Sequence, residues 1–217
     1  MRIVKPSVEL IHCTPDPERV IERCGRVCYQ SSHKVTEDGA SAIDLIGKLI
    51  HSGHESVLEH ASAGFSIISD RGVTHELVRH RIASFSQEST RYCDYSNDRF
   101  GGELQFIEPP GLTAEPCEDA FCGAPLPSLH ELWLKGIAMA EQTYKRLRQE
   151  GVPPQIARSV LPNSLKSEIC MTANFREWRH FLRLRTSPKA HPQMREIAEM
   201  IRDRLVVISP ACFTEGV

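Results

Sequence analysis

The chain has 217 residues, 41% hydrophobic and 25% charged, an ordinary globular composition that excludes intrinsic disorder. Its 26 Lys and Arg against 28 Asp and Glu leave a net charge of −2. That excludes a polyanion-binding surface over the whole protein but not local basic patches. Aromatics at 6% are too few for base-stacking platforms, so no nucleic-acid partner is expected. No apolar run approaches the roughly 20 residues of a membrane helix, and residues 1–10 carry no signal-peptide core. A cytoplasmic protein with no membrane partner is expected.

Val8–His12 alternates as a short strand. Thr14-Pro-Asp-Pro-Glu18 supplies cap and first-turn residues for a helix whose stripe is Val20, Cys24, Val27 and Cys28. Ile43, Ile46, Leu49 and Ile50 repeat the helical spacing after Asp38-Gly39. Ala61 to Ile68 alternates as a strand, Asp70-Arg-Gly72 turns the chain, and Thr74 caps a short helix to about Arg81. From Ile82 to Asn97 the chain is polar and hydroxyl-rich without a period, which predicts a long functional loop. A strand at Leu104–Ile107 ends at Pro109-Pro110, and a Pro- and Cys-containing excursion occupies 111–127. A helix with Leu129, Trp133, Ile137, Ala140, Tyr144 and Leu147 on one stripe follows and ends at Gly151. Pro153-Pro154 opens a short helix containing Arg158. A buried strand over 167–173, a helix over 176–184 and a helix carrying Met194, Ile197, Ile201 and Leu205 complete the chain. Helices and strands intersperse without regular βαβ units, which predicts an α+β single domain over 1–217.

Eight cysteines, Cys13, Cys24, Cys28, Cys93, Cys117, Cys122, Cys170 and Cys212, include no C-x-x-C pair. They are expected to be reduced and mostly buried. His51, His54, Glu59 and His60 cluster in sequence, but the spacing is not H-E-x-x-H and Gly53 argues for a loop, so no metal is expected. There is no G-x-G-x-x-G and no Walker lysine loop.

Two windows depart from the neutral average. Residues 79–92 hold Arg79, Arg81 and Arg91 against Glu88, a net of +2, with Ser84, Ser86, Ser89 and Thr90 among them. That donor set suits phosphate; the plainer alternative is a helix end paired with acids. Residues 176–189 hold five basic residues against Glu177, a net of +4. On a helix, Arg176, Arg179 (or His180) and Arg183 share a face, which reads first as a solvated basic face, while Trp178, Phe181 and Leu182 pack inward. Arg158, among apolar neighbours in Ile156–Leu161, is expected to be half-buried and directed at an acid or a ligand.

Arg79-His80-Arg81 followed after seven residues by Ser89 resembles the defining motif of the flavin-dependent thymidylate synthases. Supporting segments follow that family's order: Gly53–His60, Ala157–Pro162, and Thr172–His180 leading to Leu184-Arg185. The resemblance covers essentially the whole chain and implies that family's fold, an antiparallel or mixed sheet flanked by helices. It also implies reductive methylation of dUMP to dTMP, with methylenetetrahydrofolate as carbon donor and NADPH reducing bound FAD. By similarity dUMP would meet Glu76, Leu77, Val78, Arg79, Gln87, Glu88, Ser89, Thr90, Arg91, Arg158 and Arg185, its phosphate resting on Ser89, Thr90 and Arg91. FAD would meet Ser56, Arg79, His80, Arg81, Gln87, Asn174, Phe175, Arg176 and His180. Arg185 would be catalytic, facing the uracil and favouring loss of its N3 proton. A homotetramer with active sites shared between subunits is implied as well. Three departures bear on the site: Gln87-Glu88 stands where many members have an acid and an apolar residue, Glu76 replaces a common glutamine, and His180 a common asparagine. A thiol-dependent nucleotide methylase using Cys117, and a non-catalytic nucleotide- or RNA-binding module, are the alternatives.

Overall fold

A computed structural model describes residues 1–97, 99, 101–115, 117–118, 125–214 and 216, with the backbone alone at 117, 118 and 125. In chain order the elements are β1 (Arg2–Val4), β2 (Ser7–Cys13), α1 (Pro17–Val27), α2 (Ala40–His51), β3 (Ser62–Asp70), α3 (Arg71–Leu77), β4 (Ala83–Gln87), β5 (Gln105–Ile107), β6 (Cys117–Glu118), β7 (Pro125–Leu126), α4 (Leu129–Gln149), α5 (Pro154–Ala157), β8 (Lys166–Asn174), α6 (Phe175–Arg185), α7 (Pro192–Ile208) and α8 (Pro210–Phe213). Short 3-10 helices lie at Ser32–Lys34, Glu55–His60 and Arg158–Val160. The fold is α+β. Two units can be distinguished, each drawn from separated stretches: Met1–Pro6, Ser69–Thr74 and Gln87–Ser167 form the first, Ser7–Ile68, His75–Ser86 and Glu168–Val217 the second.

In the second unit, strands β2, β3, β8 and β4 hydrogen-bond in that order, β2 and β3 running antiparallel with Val8 opposite Ile67. The expected alternation holds in β3, where Ala63, Phe65 and Ile67 are buried; β8, expected to be buried throughout, alternates instead, with Ile169, Met171 and Ala173 buried and Glu168 exposed. One face of the sheet is therefore apolar and needs a cover, which Trp178, Phe181 and Leu182 of α6 and Ile197, Ile201 and Leu205 of α7 supply. Gly64 lies beneath the hydrogen bond between His12 Nε2 and Thr172 Oγ1 (3.2 Å). A Cβ on Gly64 would run into the His12 ring and the Thr172 hydroxyl, so a larger residue there requires both side chains to shift and the bond between them to break.

The helix over α1 forms as expected, but its buried stripe is not the predicted one. Ile21 and Gly25 face inward and Val27 and Cys28 are exposed. Gly25 faces Leu45 and Val57, and a Cβ there would make ordinary contacts with both. Rotating α1 this way buries Glu22 and Arg26, which pair at 2.7 Å, and Arg26 also donates to Ser41 O. Removing one partner of such a pair strands the other charge. Glu22→Ala is therefore expected to lower unfolding stability by about 3 kcal/mol in denaturant titration, and Glu22→Ala combined with Arg26→Met to recover most of it. An additive double variant would show the pair to be uncoupled. On α2 the predicted Ile46 is buried, whereas Ile43 is 56% exposed.

In the first unit, β1 and β5 pair in parallel and α4 covers a core of Tyr95, Leu104, Phe106, Ile137, Tyr144, Ala157 and Leu165. The predicted α4 stripe is right at Ile137 and Tyr144, but Leu129 is exposed. A capping box, Ser128 with Glu131, starts α4. Thr74 does not cap α3: the Asp70 carboxylate accepts from Val73 N at 2.7 Å, and the Thr74 hydroxyl donates back to Arg71 O. The helix ends at Leu77, short of Arg81.

The expected loop from Ile82 to Asn97 contains strand β4, whose side chains alternate between half-buried and exposed. Its polar residues gave no apolar period; the edge of β8 supplies the partner that makes it a strand. β1, the β6–β7 pair and α8 are likewise structure that the pattern did not show. Of the 111–127 excursion, residues 116 and 119–124 lie outside the described residues, and with them Cys122. The cysteines also differ from expectation: among the six with described side chains only Cys212 is buried, and Cys28 is exposed. Burial pushes the Cys212 thiol up to about 11, so it is inert at neutral pH. Among the described residues no helix is long and apolar enough to cross a membrane.

Candidate functional site

Within the second unit the chain leaves α3 through a tight turn, with Arg79 N donating to Glu76 O (3.2 Å) and His80 N to Leu77 O (3.0 Å). The turn drives His80 inward, where its side chain is 3% exposed, and leaves Arg79 and Arg81 on the surface. Asn174 caps α6, its Oδ1 accepting from Glu177 N at 2.9 Å. That places Glu177 in the first turn, where a carboxylate is favoured, and buries it beside His80. Glu177 Oε1 lies 3.1 Å from His80 Nδ1. At the other end of α6, Arg185 Nε donates to His80 Nε2 at 3.0 Å. A guanidinium only donates, so Nε2 is the acceptor and the imidazole proton belongs on Nδ1, facing Glu177. Burial holds the His80 pKa below its ordinary value; Arg185 and His180 add to this, and Glu177 opposes it. His80 is neutral at neutral pH.

Arg185 makes two further bonds, Nη1 to Glu76 Oε2 at 2.6 Å and Nη2 to Glu76 O at 3.2 Å. Three of its five N–H groups are spent in this way, on a side chain that is 20% exposed. Among the described residues nothing engages the remaining two, which leaves them to a ligand. Beside this network a cavity of about 420 Å³ is lined by Glu55, Glu59, Ile82, Asn174, Arg176, Glu177, His180 and Arg183. Its arginines are anchored by acids, Arg176 to Glu59 at 2.6 Å and Arg183 to Glu55 at 3.3 Å. Arg179 does not share the solvated basic face. It is 1% exposed, bonds to Glu55 and to Cys212 O, and ties α6 to α8.

Of the residues expected at the flavin, the structure brings Asn174, Arg176 and His180 to this cavity. Ser56 is exposed on the 3-10 turn and does not line it. Phe175 is fully buried, its ring centroid 5.0 Å from that of Phe213, so its side chain is committed to the core. Leu77 is buried and Val78 exposed. His80, Glu177 and His180 place ligand-capable atoms within 4.8 Å of one another. Because both His80 nitrogens are taken, that group offers a cation two donors rather than three. His51, His54, Glu59 and His60 do not converge; Glu59 is paired with Arg176.

Within the first unit, Gln87 Nε2 donates to Thr74 Oγ1 (2.9 Å) and Ser167 Oγ (3.0 Å). Glu88, the only acid in its window, pairs with Lys166 at 2.8 Å and accepts from Tyr95 Oη at 2.7 Å. The two following residues form a hydroxyl pair: Ser89 Oγ accepts from Arg91 N (3.3 Å), and Thr90 Oγ1 accepts from Arg158 Nη1 (2.8 Å). Arg158 is exposed rather than half-buried, because Ala157 is the sole buried residue of α5. Its apolar neighbour Ile156 also faces out. Among the described residues no carboxylate pairs with Arg91 or Arg158. The side chain of Cys117 lies outside the described residues.

Sequence reasoning missed Glu177, Glu55 and Lys166. Only Glu177 carried a signal, Asn174-x-x-Glu177, the spacing of a helix start.

A family model described as thymidylate synthase complementing protein matches residues 9–211. A flavin-dependent thymidylate synthase of Mycolicibacterium gilvum (strain PYR-GCK) is 36% identical over 97% of this chain and 84% of its own. One from Geobacter sulfurreducens is 35% identical over 90% of this chain and 81% of its own. Among solved structures, the UMP/dUMP methylase PolB from Streptomyces cacaoi, bound with 5-Br dUMP, is 27% identical. It covers 99% of this chain and 96% of that chain at a TM-score of 0.77. A match running through the Arg-His-Arg turn, the hydroxyl pair and the capped start of α6 leaves one conclusion: the chain belongs to the flavin-dependent thymidylate synthase family.

Proposed function

We propose that this protein methylates dUMP to dTMP, with FAD as bound cofactor, methylenetetrahydrofolate as carbon donor and NADPH as reductant. The observation that carries the reading is Arg185, a half-buried cation fixed by three hydrogen bonds with two N–H groups to spare. A fixed cation at the uracil ring favours loss of the N3 proton and makes C5 a better nucleophile, at no cost of reorganisation. Ser89, Thr90, Arg91 and Arg158 take the phosphate, as a hydroxyl and guanidinium set without carboxylate partners among the described residues suits a dianion.

The cavity along α6 fits a flavin nucleotide. Two arginines suit a diphosphate and Ile82 offers an apolar wall; Asn174 uses only its oxygen on the helix cap, keeping its amide N–H groups for a ligand. Asn174, Arg176 and His180 would hold the cofactor, together with Ser56, Arg79, Arg81 and the backbone of Phe175. Bound flavin, once reduced, would supply the hydride that completes the methyl group. The same reading takes residues 1–217 as one functional domain of a cytoplasmic homotetramer, which light scattering on the purified protein tests.

The purified protein is expected to be yellow and its flavin absorption to change on addition of dUMP. Colourless protein that binds no added FAD would overturn the reading. Arg158→Ala is expected to raise KM for dUMP about 10- to 100-fold, the loss of one charge-assisted bond to phosphate, with kcat less affected. An unchanged KM in steady-state kinetics would remove Arg158 from the phosphate site.

A further inference from the structure

We propose that Glu177 and His80 are positioning residues for Arg185: the Glu177 carboxylate keeps the His80 proton on Nδ1, so that Nε2 accepts from Arg185 Nε and sets the plane of the guanidinium. The proposal rests on the reading of Arg185 as the group that faces uracil, and it gives His80 a role other than direct contact with flavin.

Both ring nitrogens of His80 are occupied, Nδ1 by Glu177 at 3.1 Å and Nε2 by Arg185 at 3.0 Å. No ring N–H or lone pair is left for a ligand. The ring is also held in place, with Phe181 packed edge-on at 5.0 Å between centroids. The opposite tautomer would set an Nε2–H against the Nε–H of Arg185 and a lone pair against the Glu177 carboxylate, two repulsive contacts in a buried space. Glu177 is itself placed by the Asn174 cap. Each link thus has one stable arrangement, and the chain of bonds ends on the guanidinium. Glu76 holds the opposite edge through its carboxylate and its carbonyl. A guanidinium gripped on two edges keeps its plane, which a lysine on the same stem does not.

The groups that face His80 are Glu177, His180 and Arg185 from α6, with Glu76 reaching it through Arg185 from the α3 side. Protonation of His80 would turn Nε2 into a donor and break the bond to Arg185. Activity is therefore expected to fall at acid pH along a limb set by His80. Glu177 is the group that draws a proton onto the ring, so its removal moves that limb to lower pH.

The test uses flavin-loaded enzyme, with kcat, KM and flavin content followed across pH by dTMP formation. Glu177→Gln is expected to lower kcat about 10- to 100-fold, the usual effect of losing a group that orients a functional histidine. Flavin content is expected to be kept and the acid limb to shift downward. A second pair decides the matter even if Glu177→Gln loses its flavin. In His80→Gln the amide oxygen can still accept from Arg185, whereas in His80→Asn the shorter side chain reaches only Glu177; the Gln variant is expected to keep more of kcat. Wild-type kcat and pH profile in Glu177→Gln, or an Asn variant better than the Gln variant, would overturn the proposal. Wild-type enzyme that forms no dTMP would instead overturn the functional reading beneath it.

Discussion

Arg185→Ala is expected to lower kcat for dTMP formation by about 10³-fold while the protein stays yellow. A single preorganised donor at a developing charge contributes about 10²–10³ in rate, and Arg185 would supply a full cation with two N–H groups free. The effect should fall on kcat more than on KM, because the interaction strengthens only as the ring loses its proton. Arg185→Lys should not restore activity: an ammonium cannot bond His80 Nε2, the Glu76 carboxylate and the Glu76 carbonyl in one plane. Flavin retention is the discriminating readout, since the groups assigned to the cofactor, Asn174, Arg176 and His180, do not depend on the Arg185 bonds. Exchange of the uracil C5 hydrogen, followed without folate, isolates the activation step. Loss of flavin together with dUMP binding would show that the division of roles between α6 and the Arg-His-Arg turn is wrong.

What could be read from the sequence follows from where its side chains meet something of their own kind. The strands β3 and β8 and the helix α6 alternate or repeat apolar residues against one shared core, so their periods survive in the sequence. Strand β4 has no such face; it forms because β8 offers an unpaired edge, a fact of tertiary structure. The rotation of α1 escapes the apolar pattern for a related reason. Counting only apolar residues favours Val27 and Cys28, but a glycine has no apolar side chain to mark position 25 as inward-facing, and a mutually neutralising Glu22–Arg26 pair can be buried where no apolar count would place it. In the site, the hydroxyls and arginines stood out as an excess of charge. Their partners did not, since Glu177 reaches His80 across 97 residues and Lys166 reaches Glu88 across 78. The resemblance to a family named the ligands, and geometry supplied which of them are tied to one another.

Trp178→Ala is expected to be the most damaging single change to stability, about 5 kcal/mol. Trp178 is fully buried on α6, edge-on to Phe65 at 5.2 Å and to Phe181 at 5.4 Å, and its Nε1 donates to Ala63 O at 3.0 Å. Removing a buried tryptophan costs about 3–5 kcal/mol through lost transfer energy and the cavity left behind, and the orphaned carbonyl of Ala63 adds about 1 kcal/mol. For a chain of this size that corresponds to a fall in Tm of roughly 10–20 °C, and it consumes much of the 5–15 kcal/mol by which domains are stable. Trp178→Phe keeps most of the ring volume and forfeits the hydrogen bond, so about half the loss is expected. The consequence extends to chemistry because Phe181, which packs on Trp178, also packs on His80. A cavity at position 178 loosens the ring that holds Arg185 in plane. Trp178→Phe is therefore expected to lose activity out of proportion to its modest loss of Tm, whereas a Tm within a few degrees of wild type for Trp178→Ala would show that α6 is anchored elsewhere.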